Sequence, residues 1–373
     1  MKYFLIAGEA SGDLHASYLI KAIGRRDPRA EFAFAGGDKM AEAAGKSPVI
    51  HYRDMAFMGV WDVLTHLGTI RRNFRRVRQA IDRMRPDAVI LTDYPGFNLR
   101  MAKWAKRRGY KVFYYISPKM WAWKEGRVEL IRRYVDRMLV ILPFEVNFYR
   151  RHGIEAVYVG NPVAEETVLY RPPERQTFLA RHGWDEKTLV ALLPGSRRQE
   201  IRHMLPLMMS LPDKFPAYRF VVAGAPSLER AIYERYGLRE DTPLVFDETY
   251  DLLAHAHMAV VTSGTATLET ALFGVPQVVG YRTHPLQYHI GKHLVKIKYF
   301  SLVNLILDRP AVPELLQHDF NTESVAEHLN ALDHGDAREE MLAHYRELAA
   351  MLKEKTASEE AARVILNDLG KSS

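Results

Sequence analysis

The sequence predicts an α/β protein with two domains, each built on a parallel β-sheet. Strand and helix signals alternate along the whole chain, which is typical of repeated βαβ units. The predicted strands are short apolar runs, as expected for strands that are buried on both faces. A chain of 373 residues is long enough for two separate cores. We expect one domain over residues 1–165, completed by a C-terminal helix over 350–373, and a second over 166–349.

The composition is that of a soluble globular protein, with 47% hydrophobic and 26% charged residues. No apolar run approaches the roughly 18 residues that a membrane span requires. The segment from Met1 to Gly8 is too short for a signal peptide and is predicted to be the first strand. The absence of cysteine excludes disulfides, thiolate metal sites and a catalytic thiol. We therefore expect a cytoplasmic protein.

The charge is distributed unevenly along the chain. Residues 1–165 carry 29 Lys and Arg against 17 Asp and Glu, a net charge of +12, and the remainder carries −5. The basic N-terminal part of the chain indicates an anionic partner, which could be nucleic acid, an acidic membrane surface or a phosphorylated substrate. No stacking module or recognition motif accompanies the charge, so nucleic acid is not expected.

The first predicted strand, Tyr3 to Ala7, runs into a glycine-containing turn over residues 8–13. A second strand is predicted from Phe32 to Ala35, and a third from Pro86 to Thr92. Asp93 follows this last strand directly. A carboxylate just beyond a strand's C-terminal end lies where open α/β sheets place ligands. It could accept a proton from a sugar hydroxyl, or it could only cap the helix that begins near Asn98.

The next strand, Lys111 to Ile116, precedes two tryptophans, Trp121 and Trp123, with flanking lysines. Side chains of this type suit stacking on a sugar face, although they could equally serve domain packing. Later strands of this domain are predicted from Val135 to Leu142 and from Val157 to Val159.

Residues 55–85 combine apolar and basic side chains. A helical stripe, Ile70, Phe74, Val77, Ile81 and Met84, should face the core, and arginines occupy the rest of that helix. The apolar residues upstream cover more surface than one core stripe uses. Such a patch beside an arginine cluster is typical of a segment that contacts lipid. The alternative is core with a solvated basic face. The predicted membrane contacts are Phe57, Met58, Val60, Trp61, Leu64 and Leu67.

In the second domain, a strand from Leu189 to Leu193 is followed by Pro194, Gly195, Ser196 and Arg197. An arginine at this position can pair with a diphosphate through its fork of donors. Further strands are predicted from Tyr218 to Ala223 and from Leu244 to Phe246. The tail from Asn321 to Leu369 should be helical.

The segment over residues 258–281 contains the most informative pattern. A strand from Met258 to Val261 leads into a Thr-Ser-Gly-Thr turn and a helix from about Ala266 to Phe273, and a strand from Gln277 to Tyr281 follows. The free N–H groups and dipole of that helix suit a diphosphate. Glu269, one turn into the helix, could accept both ribose hydroxyls. The alternative is that Ser263 or Thr265 only caps the helix and Glu269 is solvated.

Fifteen histidines do not form a metal-binding motif. There is no His-Glu-x-x-His sequence, and His255 and His257 would diverge on a helix. We predict no metal site.

Seven segments, in this order along about 300 residues, resemble the bacterial lipid A disaccharide synthase family. They are Gly8–Asp13, Thr92–Asn98, Tyr115–Pro118 with Trp121–Trp123, Leu142–Glu145, Leu193–Arg197, Ser263–Glu269 and Ser301–Leu305. The chain departs from the family at Gly96, where some members carry a second acid, and at Gly160-Asn161-Pro162, where some relatives have Gly-His.

The resemblance implies a GT-B fold, with two Rossmann-like domains facing each other across a cleft, and an inverting transfer. The donor would be UDP-2,3-diacylglucosamine and the acceptor the 6-hydroxyl of 2,3-diacylglucosamine 1-phosphate (lipid X). The products would be the β-1,6 lipid A disaccharide 1-phosphate and UDP. The resemblance further implies a peripheral protein on the cytoplasmic face of the inner membrane, with no metal or cofactor required.

The expected site residues follow from the motifs and the resemblance together. Asp93 would be the catalytic base. The donor site would comprise Arg197, Ser263, Gly264, Thr265, Ala266, Glu269, Arg282 and Asn304. The acceptor site would comprise Glu9, Ser11, Asp13 and Trp121.

Two alternatives remain at this point. One is a UDP-sugar 2-epimerase or another GT-B transferase, which would share the donor helix but lack the apolar patch. The other is a non-catalytic protein that binds lipid or nucleic acid. The sequence leaves the oligomeric state open, and a homodimer is among the states it allows.

Overall fold

The structure is a computed structural model that describes residues 1–55, 67–121, 125–284 and 298–370. The chain divides into two compact units. Unit 1 comprises Met1–Pro162 with Glu354–Ser373, and unit 2 comprises Val163–Lys353. Each unit contains one sheet whose described strand pairs are all parallel, which confirms the predicted fold class.

Unit 1 contains a seven-stranded sheet with the order β3-β2-β1-β4-β5-β6-β7. Its strands are β1 Lys2–Ala7, β2 Glu31–Gly36, β3 Ile50–His51, β4 Ala88–Thr92, β5 Lys111–Tyr115, β6 Arg137–Val140 and β7 Ala156–Tyr158. Alternate residues enter opposite cores, because side chains along a strand point to opposite faces. Phe4 and Ile6 pack in one core, whereas Tyr3 and Leu5 pack in the other.

Helices cover both faces of this sheet. They are α1 Ala10–Arg26, α2 Asp38–Ala44, α3 Leu67–Met84, α4 Pro95–Arg107, α5 Val128–Tyr134, α6 Pro143–Arg151 and the C-terminal α16 Ala357–Asp368. Helix α16 buries Ile365 in the same core as Tyr3 and Leu5. Its Glu359 forms ion pairs with Arg25 and Arg26 of α1. The C-terminal helix is therefore part of unit 1.

Unit 2 contains a six-stranded sheet with the order β10-β9-β8-β11-β12-β13. Its strands are β8 Thr188–Leu193, β9 Tyr218–Gly224, β10 Leu244–Phe246, β11 Ala256–Thr262, β12 Gln277–Tyr281 and β13 Glu314–Leu316. Its helices are α7 Pro162–Leu169 at the unit boundary, α8 Arg175–His182, α9 Arg198–Met208, α10 Arg230–Arg235, α11 Thr249–His255, α12 Thr265–Leu272, α13 Leu302–Leu307, α14 Thr322–Asp333 and α15 Asp336–Lys353.

The stripe predicted on α3 is confirmed, since Phe74, Val77 and Ile81 are buried in the core of unit 1. Strands β10 and β12 have the predicted bounds. Each described helix is too short or too polar to span a lipid bilayer.

Candidate active site

The strand order of unit 1 reverses between β1 and β4, which are paired neighbours. Ligands of open α/β sheets bind outside the carboxyl ends of the strands at such a switch point. Glu9 follows shortly after the end of β1, and Asp93 follows β4 directly. Two carboxylates therefore lie at the expected ligand position of unit 1.

Unit 2 repeats this arrangement between β8 and β11. Leu193, the last residue of β8, pairs with Val261 near the end of β11. Arg197 follows shortly after β8, and Ser263 follows β11 directly. The candidate donor residues Arg197 and Ser263 thus come together at a second switch point.

Asp93 occupies a sharp turn between β4 and α4. Asp93 and Tyr94 have φ angles of +42° and +46°, a left-handed conformation that costs a non-glycine residue about 1–3 kcal/mol. Asn98 Nδ2 donates hydrogen bonds to the carbonyls of Thr92 at 3.1 Å and Asp93 at 2.8 Å. Tyr114 Oη also donates to the Asp93 carbonyl, at 2.6 Å. These bonds hold the turn in place and were not foreseen from the sequence.

The surroundings of Asp93 make its carboxyl group weakly acidic. Burial, and then the negative charge of Glu9, raise the pKa of Asp93 to about 6, against opposing contributions from Lys119 and His15. A carboxylate whose pKa lies near neutrality can both take up and release a proton under physiological conditions, as a general base must.

Gly8 is required where β1 leaves the sheet, because the ring of Tyr94 lies against it. A Cβ atom at Gly8 would lie 2.2 Å from Cδ1 of Tyr94. The Tyr94 hydroxyl donates to the carbonyl of Met55, which ties this turn to the start of the segment before α3.

The three predicted acceptor residues of the first turn have different surroundings. Glu9 is half-buried beside Asp93, and Ser11 is exposed. Asp13, however, is 3% exposed, and its carboxylate accepts hydrogen bonds from the backbone N–H groups of Gly37, Lys39 and Met40. Its carboxylate therefore caps the N-terminus of α2, and the role of Asp13 at the acceptor site stays a prediction.

Trp121 is half-buried, and its Nε1 donates to Oε1 of Glu145 at 3.2 Å. Glu145 is 1% exposed, and its other oxygen accepts from the N–H of Leu142 at 3.0 Å. Burial raises the pKa of Glu145 to about 7. This residue was missed as a site residue, although Pro143 followed by Glu145 is a recognisable helix start. Trp123 lies outside the described residues.

A small apolar cavity of about 150 Å³ opens beside Tyr94. Its lining residues are Met55, Ile70, Asn73, Phe74, Tyr94, Gly96, Phe97 and Arg100. Most of the walls are hydrocarbon or aromatic, with one guanidinium among them. This cavity could not be predicted from the sequence, because its walls come from three separate segments.

In unit 2, the turn that carries Arg197 is held by Glu200. The carboxylate of Glu200 accepts from the N–H groups of Ser196 at 2.9 Å and Arg197 at 3.2 Å. Gly195 has a φ of +107° in close contact with Glu200, a conformation that favours glycine. The side chain of Arg197 is 71% exposed and therefore accessible to a ligand.

Helix α12 begins at Thr265, within one residue of the predicted start. The first N–H groups of a helix have no partner within the helix, and the dipole adds positive potential there. The hydroxyl of Ser263 donates to the carbonyl of Phe300 at 2.6 Å, so it anchors the turn. Gly264 has an extended backbone, Thr265 is exposed, and Ala266 is half-buried.

Glu269 is half-buried in α12, and Tyr250 Oη donates to its Oε1 at 3.1 Å. Arg282, just beyond β12, is exposed. Burial, Arg202 and Arg282 lower the pKa of His203, which shows that basic groups from α9 and from the end of β12 lie near one another. This concentration of positive charge suits an anion.

Asn304 has hydrogen-bond partners within unit 2. It is 1% exposed; its Nδ2 donates to the carbonyl of Val312 at 2.9 Å, and its Oδ1 accepts from the N–H of Val312 at 2.9 Å. Its amide therefore joins α13 to the segment before β13, and the role of Asn304 in the donor site stays a prediction.

The predicted membrane contacts belong to the segment before α3 and to the first residue of that helix. Phe57, Met58, Val60, Trp61 and Leu64 lie outside the described residues, as does the side chain of Leu67, the first residue of α3.

Among the described residues, His257, Asp333 and His334 form the one group whose ligand atoms are close enough to hold a metal ion. This group was not predicted from the sequence, because the helix ends at His255 and His257 belongs to β11. His257 Nε2 lies 2.9 Å from Oδ1 of Asp333 and 3.5 Å from the Arg338 guanidinium, so a histidine–carboxylate contact lies beside a cation.

Comparison with protein families gives a match over nearly the whole chain. A family model described as lipid-A-disaccharide synthetase matches residues 3–366. The lipid-A-disaccharide synthase of Geobacter sulfurreducens is 39% identical over 384 residues, covering 99% of this chain and 98% of that protein. The enzyme of the same name from Myxococcus xanthus is 40% identical over 374 residues, covering 98% and 97%.

Solved structures with the same fold share little sequence with this chain. UDP-GlcNAc 2-epimerase of Methanocaldococcus jannaschii, in complex with UDP-GlcNAc and UDP, has a TM-score of 0.67 at 11% identity and covers 98% of this chain and 100% of that one. The calicheamicin glycosyltransferase CalG4 has a TM-score of 0.61 at 15% identity, covering 100% and 98%. At these identities the similarity establishes the fold, which is GT-B.

Proposed function

The chain belongs to the lipid-A-disaccharide synthase family of glycosyltransferases, and we infer that it joins two acylated glucosamines in lipid A biosynthesis. The donor is UDP-2,3-diacylglucosamine and the acceptor is 2,3-diacylglucosamine 1-phosphate. The products are the β-1,6 disaccharide 1-phosphate and UDP. The observation that carries the assignment of residues is that four of the seven matching segments lie at the ends of the strands that flank the two switch points. They are Gly8–Asp13, Thr92–Asn98, Leu193–Arg197 and Ser263–Glu269.

Asp93 is the proposed general base. The oxygen of the acceptor 6-hydroxyl attacks C1 of the donor sugar, and Asp93 takes the hydroxyl proton. The bond between C1 and the β-phosphate oxygen breaks, and UDP leaves with the electron pair, so the configuration at C1 inverts. The pKa of about 6 supports this role, because Asp93 is mostly ionised at neutral pH and still basic enough to accept the proton.

The departing diphosphate needs its negative charge stabilised. We assign this role to Arg197, to the N-terminus of α12 over Gly264, Thr265 and Ala266, and to Arg282. A helix N-terminus and an arginine fork both bind phosphate oxygens. Glu269 is the proposed partner of the donor ribose hydroxyls, since it lies one turn further along the same helix.

On the acceptor side we assign Glu9, Ser11 and Trp121. Glu9 is close enough to Asp93 to raise its pKa, and the hydroxyl of Ser11 is accessible. The apolar cavity beside Tyr94 suits part of an acyl chain, with Arg100 available to an anionic group.

We further propose that the protein binds the cytoplasmic face of the inner membrane as a peripheral protein. The outer face of α3 supports this, because five of its arginines are exposed: Arg71, Arg72, Arg75, Arg76 and Arg83. Basic side chains at a membrane surface attract anionic headgroups, each contributing about 1 kcal/mol.

The decisive experiment is incubation of the protein with UDP-2,3-diacylglucosamine and lipid X, followed by mass analysis of the lipid product. We expect the disaccharide 1-phosphate and one equivalent of UDP. A parallel reaction with UDP-GlcNAc alone tests the epimerase alternative. Formation of the 2-epimer without any disaccharide in the first reaction would overturn the proposal.

A further inference from the structure

Tyr250 links two carboxylates in unit 2. Its Oη lies 3.1 Å from Oε1 of Glu269 in α12 and 3.3 Å from Oε2 of Glu166 in α7. A phenol has one proton to donate, and the shorter contact is the one to Glu269. The side chain proposed to hold the ribose therefore receives a hydrogen bond from a neighbouring helix.

The hydroxyl of Tyr250 stays protonated. Burial and the charges of Glu269 and Glu166 raise the pKa of Tyr250 well above its ordinary value. The phenol is consequently a permanent hydrogen-bond donor at physiological pH.

Packing fixes the position of this donor. The ring of Tyr250 meets Tyr170 edge to face at a centroid distance of 5.2 Å, and it lies 5.0 Å from the ring of Phe273. Phe273 directly follows the last residue of α12. The ring is thus held against the same helix that carries Glu269, and its hydroxyl cannot move away without repacking the cluster.

We propose that Tyr250 is a positioning residue for recognition of the ribose of a nucleoside diphosphate: its hydroxyl orients the Glu269 carboxylate towards the 2′- and 3′-hydroxyls, from which a carboxylate can accept hydrogen bonds. The inference rests on the proposed donor site. It adds a residue that contacts the Glu269 carboxylate. It also predicts that loss of the Tyr250 hydroxyl weakens recognition of the ribose hydroxyls and leaves binding of the diphosphate unchanged.

The test compares Tyr250→Phe with Tyr170→Phe. Both changes remove one hydroxyl from the same aromatic cluster, but Tyr170 donates to Asp251 rather than to Glu269. The dissociation constants of UDP, 2′-deoxy-UDP, 3′-deoxy-UDP and inorganic pyrophosphate are measured by calorimetry for each variant.

For Tyr250→Phe, we expect binding of UDP to weaken about tenfold, the order of one hydrogen bond to a charged group. The preference for UDP over the deoxy nucleotides should shrink towards one, and binding of pyrophosphate should not change. The KM for the donor should rise with kcat little altered. Tyr170→Phe should resemble the unmodified protein in all four measurements.

Two further variants separate the possible failures. If Glu269→Ala also keeps the preference for UDP over its deoxy analogues, the proposed ribose site itself is wrong. If Glu269→Ala loses the preference and Tyr250→Phe keeps it, only the role of Tyr250 is overturned. Glu166→Gln should keep the preference, because the Tyr250 proton still reaches Glu269. A loss equal to that of Tyr250→Phe would instead indicate packing of the whole cluster and overturn the inference.

Discussion

The hydroxyl of Tyr114 donates a hydrogen bond of 2.6 Å to the backbone carbonyl of Asp93. Tyr114 lies in β5, next to the strand that Asp93 follows, and it is fully buried. The donor is therefore rigid, and it restrains a residue whose left-handed backbone would otherwise relax. The direction of the Asp93 carboxylate thus depends on a residue that need not touch substrate.

Tyr114→Phe should lower kcat about tenfold, because small displacements of a catalytic group are costly. It should also reduce the free energy of unfolding by about 1 kcal/mol, the usual size of a single hydrogen bond. Steady-state kinetics and urea unfolding measure the two effects. Unchanged kcat with the same loss of stability would show that the bond serves folding alone.

Asp93→Asn should reduce transfer by about 10² to 10⁴, the usual contribution of a general base. Asp93→Ala should abolish transfer. The affinity for UDP should persist in both variants, because the proposed nucleotide site is built from residues of unit 2. Transfer assays and calorimetry with UDP measure the two quantities. Full activity in either variant would remove Asp93 as the base.

The acid limb of the pH–rate profile should fall near pH 6. Asp93 must be ionised to accept a proton, so the rate declines as the pH falls through its pKa of about 6. Glu9→Gln removes one of the two causes that raise this pKa, so the limb should move to lower pH. A limb that stays in place in Glu9→Gln would show that Asp93 is not the titrating group.

Asp13→Ala tests the capping role of that residue against its predicted role at the acceptor site. Three backbone N–H groups lose their acceptor, and we expect a loss of about 1–3 kcal/mol in the free energy of unfolding with little change in the KM for lipid X. Ser11→Ala, a change at an exposed neighbour, is the stability control and should melt at the temperature of the unmodified protein. A raised KM for lipid X without loss of stability would instead support the predicted role of Asp13 at the acceptor site.

The sequence was sufficient to predict the alternation of strands and helices and the residues that follow each strand. Asp93 and Ser263 lie at the switch points because parallel strands bring their carboxyl ends to one edge. Strands β3 and β13 were not predicted, because Ile-His and Glu-Leu-Leu are not uninterrupted apolar runs, unlike the Leu-Val-Phe of the three-residue edge strand β10.

Side-chain partners were the part that the sequence could not provide. Asp13 lies 24 residues from Gly37, and a carboxylate in a strand-to-helix turn suits a cap as well as a ligand. The sequence gives no sign that the fold brings Val312 against the amide of Asn304. Glu145 contacts Trp121, and Tyr250 contacts Glu269. Neither contact is visible in the sequence, because the two residues of each pair come together only in the folded chain.

Membrane association should depend on the outer face of α3. Arg71 and Arg75 are exposed one turn apart, so they present charge on the same face. Arg71→Glu with Arg75→Glu should reduce sedimentation with vesicles that contain anionic lipid. Raising the salt concentration should weaken binding of the unmodified protein, because screening shortens the reach of these charges. Trp61→Glu with Leu64→Glu tests the apolar contribution of the preceding segment, and it should also reduce sedimentation.

The matched control for the arginine variant is Arg346→Glu with Lys353→Glu, which makes the same change in net charge on the exposed face of α15 in unit 2. If binding depends on a local basic surface, this control should sediment like the unmodified protein, because only charges within about a Debye length of the lipid contribute. Equal losses in both variants would show that net charge alone governs association. Unchanged sedimentation of the α3 variant and of Trp61→Glu with Leu64→Glu would exclude this region as the membrane contact.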